Sequence, residues 1–141
     1  MRPNARLVPV FSVTDALSAA IREATSAGAI QEIVIARPDG LPIAHNLAEP
    51  GLAKRIAAMS AAIVGTGKMA TTELHRGTIQ GITVDSAEAR IVCLPAGDEA
   101  IVTGLAPGNA NVGLMLLVLR ELAKKVAAAI DRWNKTHPLG R

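Results

Sequence analysis

The stretch Ile33-Val34-Ile35-Ala36-Arg37-Pro38-Asp39-Gly40-Leu41-Pro42-Ile43-Ala44-His45-Asn46-Leu47 governs how the rest of the chain is read. A short β-branched run, Ile33 to Ala36, meets Asp39-Gly40, a pair suited to a tight hairpin turn, and Leu41 to Leu47 supplies the returning strand. Ile33-Val34-Ile35 is apolar at consecutive positions, so both faces of that strand need cover. In an antiparallel sheet this calls for helices on both sides.

Working outward, the preceding segment carries an apolar stripe at Leu17, Ala20, Ile21 and Ala24, with Ser12 or Thr14 as N-cap and Gly28 placed to end it, which predicts a helix over 14–27. Downstream, Glu49-Pro50-Gly51 breaks the chain. The spacing of Leu52, Ile56, Met59, Ile63, Thr66 and Ala70 then predicts a second helix of about six turns that leaves through His75-Arg76-Gly77. Thr78 to Asp85, Ala89 to Pro95 and Ala100 to Leu105 follow as three strands joined by short loops, an antiparallel meander. A final helix starts after Pro107-Gly108 with Asn109 or Asn111 as cap. Its inner face carries Met115, Leu119, Leu122, Val126, Ala129, Ile130 and Trp133. The expected order is α-β-β-α-β-β-β-α, an α/β three-layer sandwich with a five-stranded antiparallel sheet and helices on both faces. One domain over 14–133 is expected, with an N-terminal extension over 1–13 and a tail over 134–141.

Composition narrows the function. At 141 residues the chain is one domain's worth. Half of it is hydrophobic and the mean hydropathy is +0.31, yet the longest unbroken apolar run, Val112 to Leu119, is far short of the ~20 residues a membrane span needs. The lone Cys93 excludes a disulfide framework and fits a reducing cytoplasm. Lys and Arg number 15 against 12 Asp and Glu, but no basic run exceeds Lys124-Lys125. With Phe11 and Trp133 as the only aromatic residues, neither a phosphate-tracking stripe nor a base-stacking platform is present, so a nucleic-acid partner is not expected.

The second helix has no polar side. Opposite Leu52, Ile56, Met59, Ile63 and Ala70 lie Lys54, Ala57, Ala58, Ala61, Val64, Gly65, Lys68 and Met69, a seam of small residues with lysines near its ends. A contiguous patch of small apolar side chains on a helix expected to meet water marks a contact surface. The residues assigned to a partner are Lys54, Ala57, Ala58, Ala61, Gly65 and Lys68. On the last helix, Leu114, Leu117 and Val118 lie opposite Met115 and Leu119 and ask for cover from the first helix or from another chain.

The chain resembles the Roadblock / dynein light-chain family, and within it the bacterial and archaeal members that regulate small Ras-like GTPases. The resemblance covers residues 14–130. It rests on the element order, the Asp39-Gly40-Leu41-Pro42-Ile43-Ala44 hairpin, the small-residue second helix, and Gly97-Asp98 with Ala110-Asn111-Val112-Gly113-Leu114 opening the last helix. It implies a homodimer whose third strands pair and whose second helices pack side by side, with the helix layer receiving the GTPase. It also implies that the domain itself brings no catalytic group; no metal or cofactor is expected.

Other motifs read as structure. Val64-Gly65-Thr66-Gly67-Lys68-Met69 has the Gly-Lys pair of a phosphate-binding loop, but Ala62 stands where the loop needs glycine, Met69 where it needs Ser or Thr, and the segment lies within a helix. Cys93 sits in an apolar strand as a core thiol. Glu73 and His75 are two apart at the end of a helix and do not share a face. Two functions remain. One is a cytoplasmic, non-enzymatic homodimeric regulator or scaffold for a small Ras-like GTPase, with Arg55 and Arg76 flanking the seam as the only candidates for an inserted arginine. The other is a small-ligand sensor, for which Thr83, Thr103 and His45 are the strand-borne polar candidates.

Overall fold

The computed structural model describes the backbone of residues 4–137 and the side chains of residues 13–137. Its elements are α1 (Asn4–Thr25), β1 (Glu32–Ala36), β2 (Pro42–His45), α2 (Pro50–Glu73), β3 (Ile82–Asp85), β4 (Ala89–Ala96), β5 (Ala100–Pro107) and α3 (Val112–Thr136), the expected order. The five strands form one antiparallel sheet in the order β2-β1-β5-β4-β3. The hairpin and the meander are joined through β1 and β5, with Ile33 opposite Gly104 and Val34 opposite Thr103.

The alternation of β1 shows why both faces had to be apolar. Ile33 and Ile35 point to one side, into a core shared with Leu17 and Ile21 of α1, Val92 and Leu94 of β4, and Met115, Leu119, Leu122 and Val126 of α3. Val34 and Ala36 point to the other side, against Ala53 and Ala57 of α2. Helices α1 and α3 therefore make one layer and α2 the opposite one. Full burial of each large side chain in the first core contributes about 1.5–3 kcal/mol.

Three boundaries differ from expectation by three residues or more. Helix α1 begins at Asn4, ten residues before position 14, and includes Pro9. A proline near a helix start removes only one backbone hydrogen bond that the helix would otherwise make, so it need not end the helix. Strand β3 starts at Ile82 rather than Thr78. Ile82 pairs with Cys93, so continuing the ladder would place Gln80 opposite Pro95, which has no N–H to offer. Helix α3 runs to Thr136, three residues past Trp133. The ends of the chain, 1–3 and 138–141, lie outside the described residues.

Of the two candidate caps for α3, Asn111 serves: its side-chain oxygen accepts the Leu114 N–H at 3.0 Å. Val118 packs against the α1/α3 core, whereas Leu114 and Leu117 remain exposed. Trp133 is half-buried and stacks on His137 with ring centroids 3.5 Å apart. Among the described residues no helix is long and apolar enough to cross a membrane.

Candidate functional site

Helix α2 starts at Pro50, a residue whose missing N–H is harmless in a first turn. The row it buries is Ala53, Ala57, Ser60 and Val64, at the 4-3-4 spacing of one helical face. This corrects the expected orientation. The larger residues Leu52, Ile56, Met59, Ile63 and Ala70 were expected to form the core face. Instead Met59 and Ala70 are exposed, and Leu52, Ile56 and Ile63 are half-buried. Small side chains let the helix axis come close to a sheet already crowded by Val34, Cys93 and Ile101, and the large ones are displaced to its flank.

The assigned partner residues divide accordingly. Ala57 is fully buried against the sheet and is removed from the surface set. Ala61 and Gly65 are half-buried, and Lys54, Ala58 and Lys68 are exposed. These five lie along one flank of α2. Its middle is occupied by the chain's own hairpin turn: a Cβ added to Gly40 would lie 3.3 Å from the Ala58 Cα and 3.8 Å from the Ala61 Cβ. Beyond the turn the flank opens into a groove between Ala61, Gly65 and Lys68 on the helix and Pro38, Pro95 and Asp98 opposite. A second groove of about 420 Å³ continues past Lys68 to Thr72, Thr78 and Ile79, again with Asp98 on its wall.

The opposite flank carries Leu52 and Ile56, packed against Val34, Ala36 and Leu47, and then Met59 and Ile63; β3, one of the two edge strands of the sheet, reaches α2 where Ile82 lies against Gly67. Directly paired residues of antiparallel strands share a face. Ile82 opposite Cys93 and Val84 opposite Ile91 therefore sit on the α2 side. Met59 is 50% exposed and Val84 38%, so the helix flank and the strand edge each present apolar surface on the same side of the sheet. β3 is an edge strand, as pairing of third strands would require, whereas Met59, expected in the core, is exposed.

Beneath α2 the Ser60 and Thr103 hydroxyls are 2.7 Å apart, and the Thr103 hydroxyl donates to the Cys93 sulfur at 3.4 Å, all three side chains being buried. Burial pushes the Cys93 thiol above its ordinary pKa, and the hydrogen bonds from Thr103 and Ser60 only partly oppose this. The thiol thus stays protonated and inert, as a core residue. Thr103 is spent in this bond and His45 accepts the Leu47 N–H at 3.1 Å, which takes two of the three polar strand residues away from any ligand. Ser60→Ala should cost about 1–2 kcal/mol in urea unfolding, because the Thr103 hydroxyl loses its best partner. The Ser60→Ala/Thr103→Val pair should cost clearly less than the sum of the single changes, and strict additivity would mean the two hydroxyls do not interact.

The Gly65–Lys68 segment lies in the middle of α2, so no phosphate-binding loop exists there. Glu73 ends α2, and His75 follows in a left-handed turn at φ 52°. No group of three or more His, Cys, Asp or Glu suited to a metal ion occurs among the described residues.

Residues 17–106 match the Roadblock/LC7 domain. No curated protein matches the sequence. Among solved structures the fold is similar to one described as MglB with a tetrameric arrangement, with 13% identity, 86% of this chain and 93% of that chain covered, and a TM-score of 0.79. MglB of Myxococcus xanthus gives 10% identity, 85% and 91% coverage and a TM-score of 0.77. A Roadblock/LC7 domain from Streptomyces avermitilis gives 17%, 80% and 96%, and 0.75.

Proposed function

Since the chain belongs to the Roadblock/LC7 family, we propose that it is a cytoplasmic, non-enzymatic homodimeric regulator or scaffold that binds a small Ras-like GTPase and modulates its nucleotide cycle or localisation. The observation that carries this reading is the surface of α2. From Ile56 to Gly67 the helix has no charged residue, although Ala58, Met59, Ala62 and Thr66 face outward. A solvated helix face is normally charged, and an uncharged one is stabilised by a partner.

The two flanks suit two different contacts. One flank of α2 presents Met59 and Ile63, and β3 ends the sheet with Val84 exposed, so a second copy would cover the apolar flank and pair the free strand in a self-complementary contact. The tetrameric description of one similar MglB structure supports self-association. The other flank carries Lys54, Ala58, Ala61, Gly65 and Lys68 and is left for the GTPase, with the lysines free to steer an acidic surface.

The test uses each small Ras-like GTPase encoded in the source genome, purified and loaded with GDP or with a GTP analogue, in binding and single-turnover hydrolysis measurements. One of them should bind at micromolar affinity or better, with a preference for one nucleotide state. If none binds in either state, the reading fails. Where hydrolysis is accelerated, Arg55→Ala and Arg76→Ala should each change the rate by less than about tenfold, since switch-loop ordering rather than an inserted arginine is the expected mode. A loss of about a thousandfold in either variant would identify an arginine finger instead.

A further inference from the structure

We propose that the GTPase-docking surface extends from α2 across the groove to the β4–β5 turn, and that Asp98 fixes the partner's orientation by pairing with a basic side chain on it. This rests on the reading of the Lys54–Lys68 flank as the docking face, and it changes the kind of partner that face fits.

Gly97-Asp98 borders three grooves that converge on the turn. The other acidic residues around it are already engaged. Glu99 accepts both contacts of the Asn134 amide, at 3.0 and 3.1 Å, Asp131 pairs with Lys135 at 3.3 Å, and Asp39 pairs with Arg37 at 2.7 Å. Among the described residues Asp98 and Lys68 have no ion-pair partner, and they line the same two grooves.

Between these two charges the walls are small: Ala61 and Gly65 on one side, Pro95 and Gly97 on the other. Ala61 to Thr72 spans eleven helical rises, about 16 Å; the end beside Ala61 and Gly65 holds only about 50 Å³, room for a partner side chain, whereas the end past Lys68 holds about 420 Å³. A partner segment laid there would strip water from both charges, and a charge left dry and unpaired opposes binding. Lys68 and Asp98 line the same grooves, so a partner that enters between them must bring an anion to Lys68 and a cation to Asp98. A uniformly acidic surface, which the net charge of +3 would otherwise favour, is repelled at the turn.

The test takes the GTPase that binds in the experiment above and measures its affinity for the wild type, Asp98→Asn, Asp98→Lys and Lys68→Glu from low to physiological ionic strength, with circular dichroism and light scattering on each free variant. Asp98→Lys should weaken binding by about tenfold or more and Asp98→Asn by less. A Lys→Glu or Arg→Glu change on the GTPase should restore affinity for Asp98→Lys alone. Wild-type or tighter binding by a folded Asp98→Lys dimer would overturn the proposal while leaving the docking face intact. A changed mass of free Asp98→Lys, with GTPase affinity unaltered, would also overturn it by giving the groove to another copy of this chain. Absence of any binding GTPase would instead remove the docking reading itself.

Discussion

Met59→Glu should convert the protein from a dimer into a folded monomer. In the single chain Met59 is half exposed, so a glutamate there reaches water and the buried row of Ala53, Ala57, Ser60 and Val64 is untouched. In a two-fold contact along β3 and this flank, each glutamate would be buried in an apolar contact, with Arg55 one turn back on the same helix as the cation within reach. Burying a charge costs several kcal/mol even where it is partly paired, and the symmetry applies that cost twice. The dissociation constant should therefore rise by about a thousandfold or more. Light scattering should report a single chain of 14.6 kDa where the wild type shows twice that mass, and the melting temperature should cease to depend on concentration. Met59→Leu keeps the apolar surface and should remain dimeric. A Met59→Glu dimer at low micromolar concentration would place the self-contact on another face.

Gly40→Val should be the most damaging single change in the hairpin. Gly40 has φ +94°, where a β-branched residue is strained by about 1–3 kcal/mol. Its Cβ would also meet the Ala58 Cα at 3.3 Å, a backbone atom that moves only if α2 moves, and such overpacking adds about 1–3 kcal/mol. A total of about 2–6 kcal/mol lowers the melting temperature by on the order of 10 °C. Gly28 separates the two causes. It has φ +83° with nothing within 4 Å of an added Cβ, so Gly28→Ala carries strain alone and should cost about 1 kcal/mol. Equal losses in the two variants would show that the contact with Ala58 is unimportant.

The element order was legible because each piece announces itself locally. Asp39-Gly40 marks a hairpin, Asn111 caps a helix, and the doubly apolar Ile33-Val34-Ile35 demands two layers. What could not be read was the rotation of α2 about its axis. Amphipathic reasoning finds the inward face by contrast with a charged outward one, and between Ile56 and Gly67 there is no such contrast. Size then misleads: Ile56, Met59 and Ile63 look like core, but the sheet beneath α2 has room only for Ala53, Ala57, Ser60 and Val64. The Ser60–Thr103 pair is equally hidden, since it joins residues 43 apart whose meeting depends on that rotation. Asp98 follows Gly97 in the β4–β5 turn, a place that by itself accounts for an aspartate, and the grooves that meet there exist only once the chain is folded.

Because the row under α2 is built almost entirely from small side chains, it acts as a set of shims that fixes how high and at what tilt the helix rides above the sheet. Both outward flanks ride on the same rigid rod. Exchanging a methyl group for a slightly larger side chain at Ala53 or Ala57 would lift or tip that rod, shifting the spacing to a second copy and the width of the Lys68–Asp98 groove together, with every surface residue unchanged. Related chains with identical exteriors could thus differ in whom they assemble with through interior volume alone.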